Sequence, residues 1–185
     1  MGTNAGETTG TDVAHATALG VVIEIPAPHD AALRTWLRRY GGVAAAAVAP
    51  HITLVSGSTT DWDSAVEHVH KVAAQAEPFE VSVRGTGTFR PITPVVFLNV
   101  ENGADSCSEL HDALVDGPMR HEVAYGYHPH LTIAHEVEEA VMDLAQEELK
   151  GESLSFTVQR IGLFALDATG AWSLREELGL GGPSS

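Results

Sequence analysis

A single cysteine, Cys107, is all the thiol chemistry in a sequence of 185 residues. That excludes an intrachain disulfide and any multi-cysteine zinc or iron–sulfur site, and makes a reducing interior the natural compartment. On one helix face with Leu110 and Leu114, Cys107 is expected to be buried filler rather than a nucleophile. Cations are scarce too: ten Lys and Arg against 25 Asp and Glu leave a net charge of −15. A protein that grips a long nucleic acid through its phosphates needs the opposite balance, whereas a small nucleotide or an RNA terminus asks only for a local site. Long apolar runs are missing as well, because His, Asp, Glu or Arg interrupts every hydrophobic segment before it reaches the roughly 20 residues that cross a bilayer. The first eleven residues carry no Lys or Arg and no apolar stretch, so no secretory signal is expected there. These absences predict a soluble, cytoplasmic protein without a membrane partner, and nothing in them calls for an obligate partner chain, so a monomer is expected. A disordered leader over 1–17, one domain over 18–176 and a flexible tail over 177–185 complete the expected organisation.

What is present is a 44% hydrophobic chain, enough to build a core at this length. Leu19, Val21, Ile23 and Ile25 alternate as a strand that Pro26 and Pro28 close. Leu33, Trp36, Leu37 and Tyr40 fall at helical spacing before Gly41-Gly42, with Arg34, Arg38 and Arg39 on the solvated side. A strand follows from Pro50 to Val55, then a helix capped by Asp61 with Trp62, Val66, Val69 and Ala73 as its apolar stripe. Phe79, Val81 and Val83 predict another strand, Gly85 to Phe89 a turn-rich passage, and Val95 to Val100 an apolar strand. Gly85 and Gly87 lack any nucleotide-binding spacing and are expected to permit a turn or bulge. A helix over 106–115, a loop over 118–126, a strand from His130, an acidic helix over 136–149 and one or two strands over 153–166 follow, with a turn before Trp172. Short strands at irregular intervals predict an α+β fold with antiparallel sheets in two similar halves that share a groove.

The strongest signal is a pattern written twice: Pro50-His51-Ile52-Thr53-Leu54 and Pro129-His130-Leu131-Thr132-Ile133, 79 residues apart. Residues i and i+2 of a strand share a face, so each copy presents an imidazole and a hydroxyl together with apolar residues behind them. Brought side by side, the two strands would surround a phosphate-sized volume with His51, His130, Thr53 and Thr132. One neutral His can take a proton from water while the other, protonated, gives one to a leaving oxygen. The Thr hydroxyls can hydrogen-bond the non-bridging oxygens. A bare His-x-Thr also occurs at His15-Ala16-Thr17, so the extended five-position agreement carries the reading.

Pro50 to Leu54, Tyr127 to Ala134 and the order of elements around them, including Gly87-Thr88-Phe89 before the strand at Val95, resemble the two-histidine phosphoesterase superfamily. The likeness is strongest to its bacterial 2′-5′ RNA ligase and RNA cyclic phosphodiesterase branch, over about residues 19–174. The resemblance implies two pseudo-symmetric lobes around a central cleft, each an antiparallel sheet with helices on its outer face. It also implies metal-free, cofactor-free opening of 2′,3′-cyclic phosphates or related linkages, with 2′-5′ ligation as the reverse reaction. His51 and His130 would be the acid–base pair and Thr53 and Thr132 the phosphate-binding residues. Which imidazole is the acid stays open. Relatives often carry Arg where this sequence has His135, which bears on substrate preference.

His128, Tyr127, Phe89, Arg90 and Arg120 are further candidates for substrate contact, the aromatics by stacking on a base and the arginines by meeting a phosphate. Two competing readings remain: a metal centre built from His121, His128, His130 and His135, and a catalytically idle nucleotide- or RNA-binding protein with the same cleft.

Overall fold

The computed structural model describes residues 16–42, 45, 48–122 and 125–181; His15, and most of the expected leader, lie outside them. The described chain runs β1 (Thr17–Glu24), α1 (His29–Tyr40), β2 (His51–Thr59), α2 (Trp62–Gln75), β3 (Phe79–Thr88), β4 (Val95–Asn102), α3 (Ala104–Val115), β5 (His130–His135), α4 (Glu139–Glu148), β6 (Ser153–Val158), β7 (Arg160–Leu166) and β8 (Trp172–Gly179). Local chemistry accounts for many of these boundaries. Asp61 accepts a hydrogen bond from the Ser64 backbone N–H and starts α2. Gly103 supplies the left-handed conformation, φ 83°, that opens α3. Arg39 at the end of α1 pairs with Glu148 at the end of α4.

Among the described residues all strand pairings are antiparallel and form one eight-stranded sheet in the order β6-β3-β4-β5-β2-β1-β7-β8. The two expected halves are therefore present with their sheets merged edge to edge: β6-β3-β4-β5 carries His130 and β2-β1-β7-β8 carries His51. The seam is one register pair, Ile52 opposite Leu131. Two residues beyond it, Pro129 falls level with Leu54 and Pro50 with Ile133. With no N–H to donate, neither proline can extend the ladder. The Leu54 carbonyl accepts from His111 Nδ1 instead, at 2.7 Å.

A pseudo-twofold relation through that pair exchanges β1-α1-β2 with β4-α3-β5, and the helices bind the halves together: α1 packs on β5, and α3 on β2. Leu19, Val21, Ile23, Ile52, Leu54, Leu131 and Ile133 are buried on the helix side. Gly20, Val22, His51, Thr53, His130 and Thr132 belong to the opposite face, where the strand alternation places them. The core extends past the expected tail boundary: β8 runs to Gly179, and Leu178 and Leu180 are buried. Cys107 is buried, and burial pushes its thiol up to about 12, which agrees with filler and not with a nucleophile.

Candidate active site

The register pair Ile52–Leu131 turns the two motifs into one site. In an antiparallel pair, one step either side brings His51 level with Thr132 and Thr53 level with His130, all four side chains on the sheet face opposite the helices. The two histidines are then diagonal neighbours, about 7–8 Å apart by standard sheet geometry, a gap that a phosphoryl group can fill.

Both imidazoles are held in the same way. His51 Nδ1 donates to the Ala49 carbonyl at 2.8 Å, and His130 Nδ1 donates to the His128 carbonyl at 2.7 Å. A carbonyl only accepts, so Nδ1 carries the proton in both neutral rings and Nε2 is left to exchange protons. The carbonyl used is two residues back in each case, across Pro50 or Pro129. This accounts for the proline of the pattern, whose fixed φ, together with its restriction of the preceding residue, aims that carbonyl at the ring.

The surroundings of the two rings differ. His130 is flanked by aromatics: its ring centroid is 4.9 Å from Phe89, edge-on, and 5.1 Å from Phe97, and the His128 ring lies nearly parallel at 6.3 Å. Phe89 and Phe97 are themselves packed at 4.4 Å. Phe97 was not legible as a site residue. It stands opposite Thr132 on β4 and owes its position to Gly87, where an added Cβ would come within 2.6 Å of the Phe97 ring. Gly87 is thus required for close approach rather than for a turn. Gly85, with φ 65° beside a register shift, is the bulge residue. Burial lowers the pKa of His130, with the neighbouring His128 and His51 adding to the effect and the hydrogen bond to the His128 carbonyl opposing it. The neutral base form is favoured there.

His51 opens instead onto a groove of about 520 Å³ lined by Gly20, Val22, Glu24, Thr53, Phe164 and Trp172 among others. Among the described residues this lining contains no Lys or Arg.

The remaining sequence candidates divide. His128 and Phe89 border the His130 ring. Tyr127 faces elsewhere: its hydroxyl donates to the Thr53 carbonyl at 2.9 Å and its ring stacks on His111 at 4.1 Å, so it positions β2 rather than offering a surface to a base. Arg90 is engaged by α4, with Asp143 at 2.8 Å and Gln146 at 3.1 Å. Arg120 pairs through its backbone with Ser58, and its side chain is exposed beyond that end of β2. The four histidines of the metal reading do not converge. His121 donates to the Ser56 carbonyl, His128 and His130 lie among the phenylalanines, and His135 is exposed beside Glu136. Among the described residues no three His, Cys, Asp or Glu side chains are placed to hold a metal ion.

A profile of the 2′-5′ RNA ligase superfamily matches residues 25–170, a span that contains both motif copies. The chain belongs to the 2′-5′ RNA ligase superfamily. Relatives of this superfamily member include predicted phosphoesterases of Oceanobacillus iheyensis, 27% identical over 139 residues covering 72% of this chain and 81% of the relative, and of Bacillus cereus AH820, 28% identical over 141 residues covering 74% and 81%. E. coli LigT complexed with 3′-AMP superposes with a TM-score of 0.66 at 19% identity, covering 90% of this chain and 99% of LigT. TT0787 of Thermus thermophilus superposes at 0.62 with 20% identity, covering 89% and 98%. The structural likeness establishes the α+β fold. Superfamily membership supports phosphoesterase chemistry as the general activity.

Proposed function

We propose that this chain hydrolyses 2′,3′-cyclic phosphodiesters, on a nucleotide or at an RNA terminus, by metal-independent acid–base catalysis in which His130 is the base and His51 the acid. The observation that carries this reading is the matched pair of imidazoles, each held through Nδ1 and each level with a threonine of the other motif. His130, lowered in pKa by burial, takes a proton from water. The water oxygen attacks phosphorus, the bond to one ribosyl oxygen breaks on the opposite side, and His51 protonates that oxygen, leaving a nucleoside phosphomonoester. Thr53 and Thr132 hydrogen-bond the non-bridging oxygens as charge builds on them. The aromatic flank of His130 leaves room for a water, and the groove beside His51 suits the departing nucleoside. Run in reverse, with a ribose hydroxyl as nucleophile, the same groups would support 2′-5′ ligation. An acidic protein with no Lys or Arg among the described residues of this groove is suited to a small or terminal substrate rather than a long tract.

The test is turnover of nucleoside 2′,3′-cyclic phosphates in excess EDTA. Full activity in the chelator and its loss in both His51→Ala and His130→Ala are expected. Activity that requires added metal, or survives either substitution, overturns the reading. Binding without turnover would favour the idle-binder alternative.

A further inference from the structure

The groove beside His51 has a composition that phosphate chemistry does not explain. Trp172, at the start of β8, reaches across β7 to lie over Gly20 of β1, its ring atoms 3.7 and 3.9 Å from where a Gly20 Cβ would stand. It is nonetheless 46% exposed. Phe164, paired with Gly20, forms the adjacent wall, and its ring leans over Gly162, whose added Cβ would meet it at 2.9 Å. Two glycines thus flatten the sheet face beneath two aromatic rings, and Val22 extends the apolar surface toward His51 and Thr53. Glu24, opposite His51 in the β1–β2 register, lines the same groove and brings a carboxylate acceptor to it.

We propose that this surface is a nucleobase subsite: the base of the nucleoside that leaves toward His51 stacks on the exposed face of Trp172 against Phe164. Glu24 accepts a hydrogen bond from an amino or imino N–H of that base. The inference rests on the proposed cyclic phosphodiesterase reading for the direction in which the nucleoside leaves. Three features select a base over other occupants. An exposed aromatic face pairs with any base by stacking. The groove, about 520 Å³, is within the range that encloses a nucleoside-sized ligand. A lining with a carboxylate and, among the described residues, no Lys or Arg rejects a second phosphate, so any further phosphate of an RNA strand lies outside it.

Two readouts test the subsite separately from the reaction. In the first, the ratio of kcat/KM for adenosine 2′,3′-cyclic phosphate to that for base-free ribose 2′,3′-cyclic phosphate is compared between the unaltered chain and Trp172→Ala. The ratio is expected to fall about 5- to 150-fold, the range for loss of one base–aromatic stack, and to be largely retained in Trp172→Phe. An unchanged ratio overturns the proposal. In the second, adenosine 3′-monophosphate is titrated into ¹⁵N-labelled His51→Ala protein, and the Trp172 indole N–H resonance, identified by its absence in Trp172→Phe, is followed. A saturable shift of that resonance, with those of Trp36 and Trp62 unmoved, supports the subsite even if no cyclic phosphate is ever turned over. A Trp172 resonance that stays put up to millimolar nucleotide overturns it, whatever the enzyme does with cyclic phosphates.

Discussion

The two lobes carry the same five-residue pattern on equivalent strands, held by the same proline-directed carbonyl, yet they build different half-sites. Beside His130 stand the rings of Phe89, Phe97 and His128. Around His51 the equivalent space is open, and the aromatics stand back across two strands at Phe164 and Trp172. On the proposed reading, symmetry supplies a pair of proton carriers, and the difference in their surroundings assigns the roles: desolvation at His130 favours a neutral base, and the groove beside His51 admits a leaving group.

The largest effect that can break this comparison is loss of either histidine. His51→Ala and His130→Ala should each lower kcat/KM by about 10²- to 10⁴-fold, but a phosphodiester with a 4-nitrophenolate leaving group, which needs no proton, should restore His51→Ala and leave His130→Ala inactive. The reverse pattern would exchange the two roles. Next come the glycines beneath the phenylalanines. Gly87→Ala drives a Cβ into the buried Phe97 ring and should cost about 1–3 kcal/mol in thermal or denaturant unfolding. Gly162→Ala meets the half-buried Phe164 ring, which has the groove to move into, so it should cost less stability and raise KM instead. Equal losses of stability would mean that the two halves are equally packed. Tyr127→Phe removes the hydrogen bond to the Thr53 carbonyl and should cost about 0.5–1.5 kcal/mol, read by urea unfolding. The smallest effect is on pH. Since burial depresses the His130 pKa below 6.5, the acid limb of kcat/KM should fall below that value, and Phe89→Ala, by admitting water, should move it back up. The same depression means that the unfolded chain binds this proton first as pH falls. The His130 contribution to stability therefore declines with acidification from about 6.5 down to the folded-state pKa.

Much of this was legible in the chain itself, and the parts that were not share a cause. The repeated Pro-His-x-Thr pattern gave both half-sites, because period-two alternation fixes which side chains share a face before any partner strand is known. The helices announced themselves through Leu33, Leu37 and Tyr40, and through Asp61 and Val69, where local spacing and capping suffice. Phe97 was hidden inside the run Val95 to Val100, which is apolar on both faces because α4 covers one and the His130 cluster the other. Trp172 was noted only as the residue after a turn. What makes it part of the cleft is the strand order β2-β1-β7-β8, a long-range outcome that no local pattern encodes. Arg90 and Tyr127 lie close in sequence to the signature residues, but Asp143 and His111, on distant helices, decide where they point.

The proposed metal-free hydrolysis by paired histidines is tested most directly by phosphorus NMR of a nucleoside 2′,3′-cyclic phosphate opened in H₂¹⁸O with excess EDTA. Attack by one water held at His130, with His51 facing one ribosyl oxygen, predicts a single phosphomonoester isomer carrying one ¹⁸O on phosphorus, and no conversion above background in His51→Ala or His130→Ala. A mixture of 2′- and 3′-phosphates, an unlabelled product, or conversion that persists in either variant would contradict it.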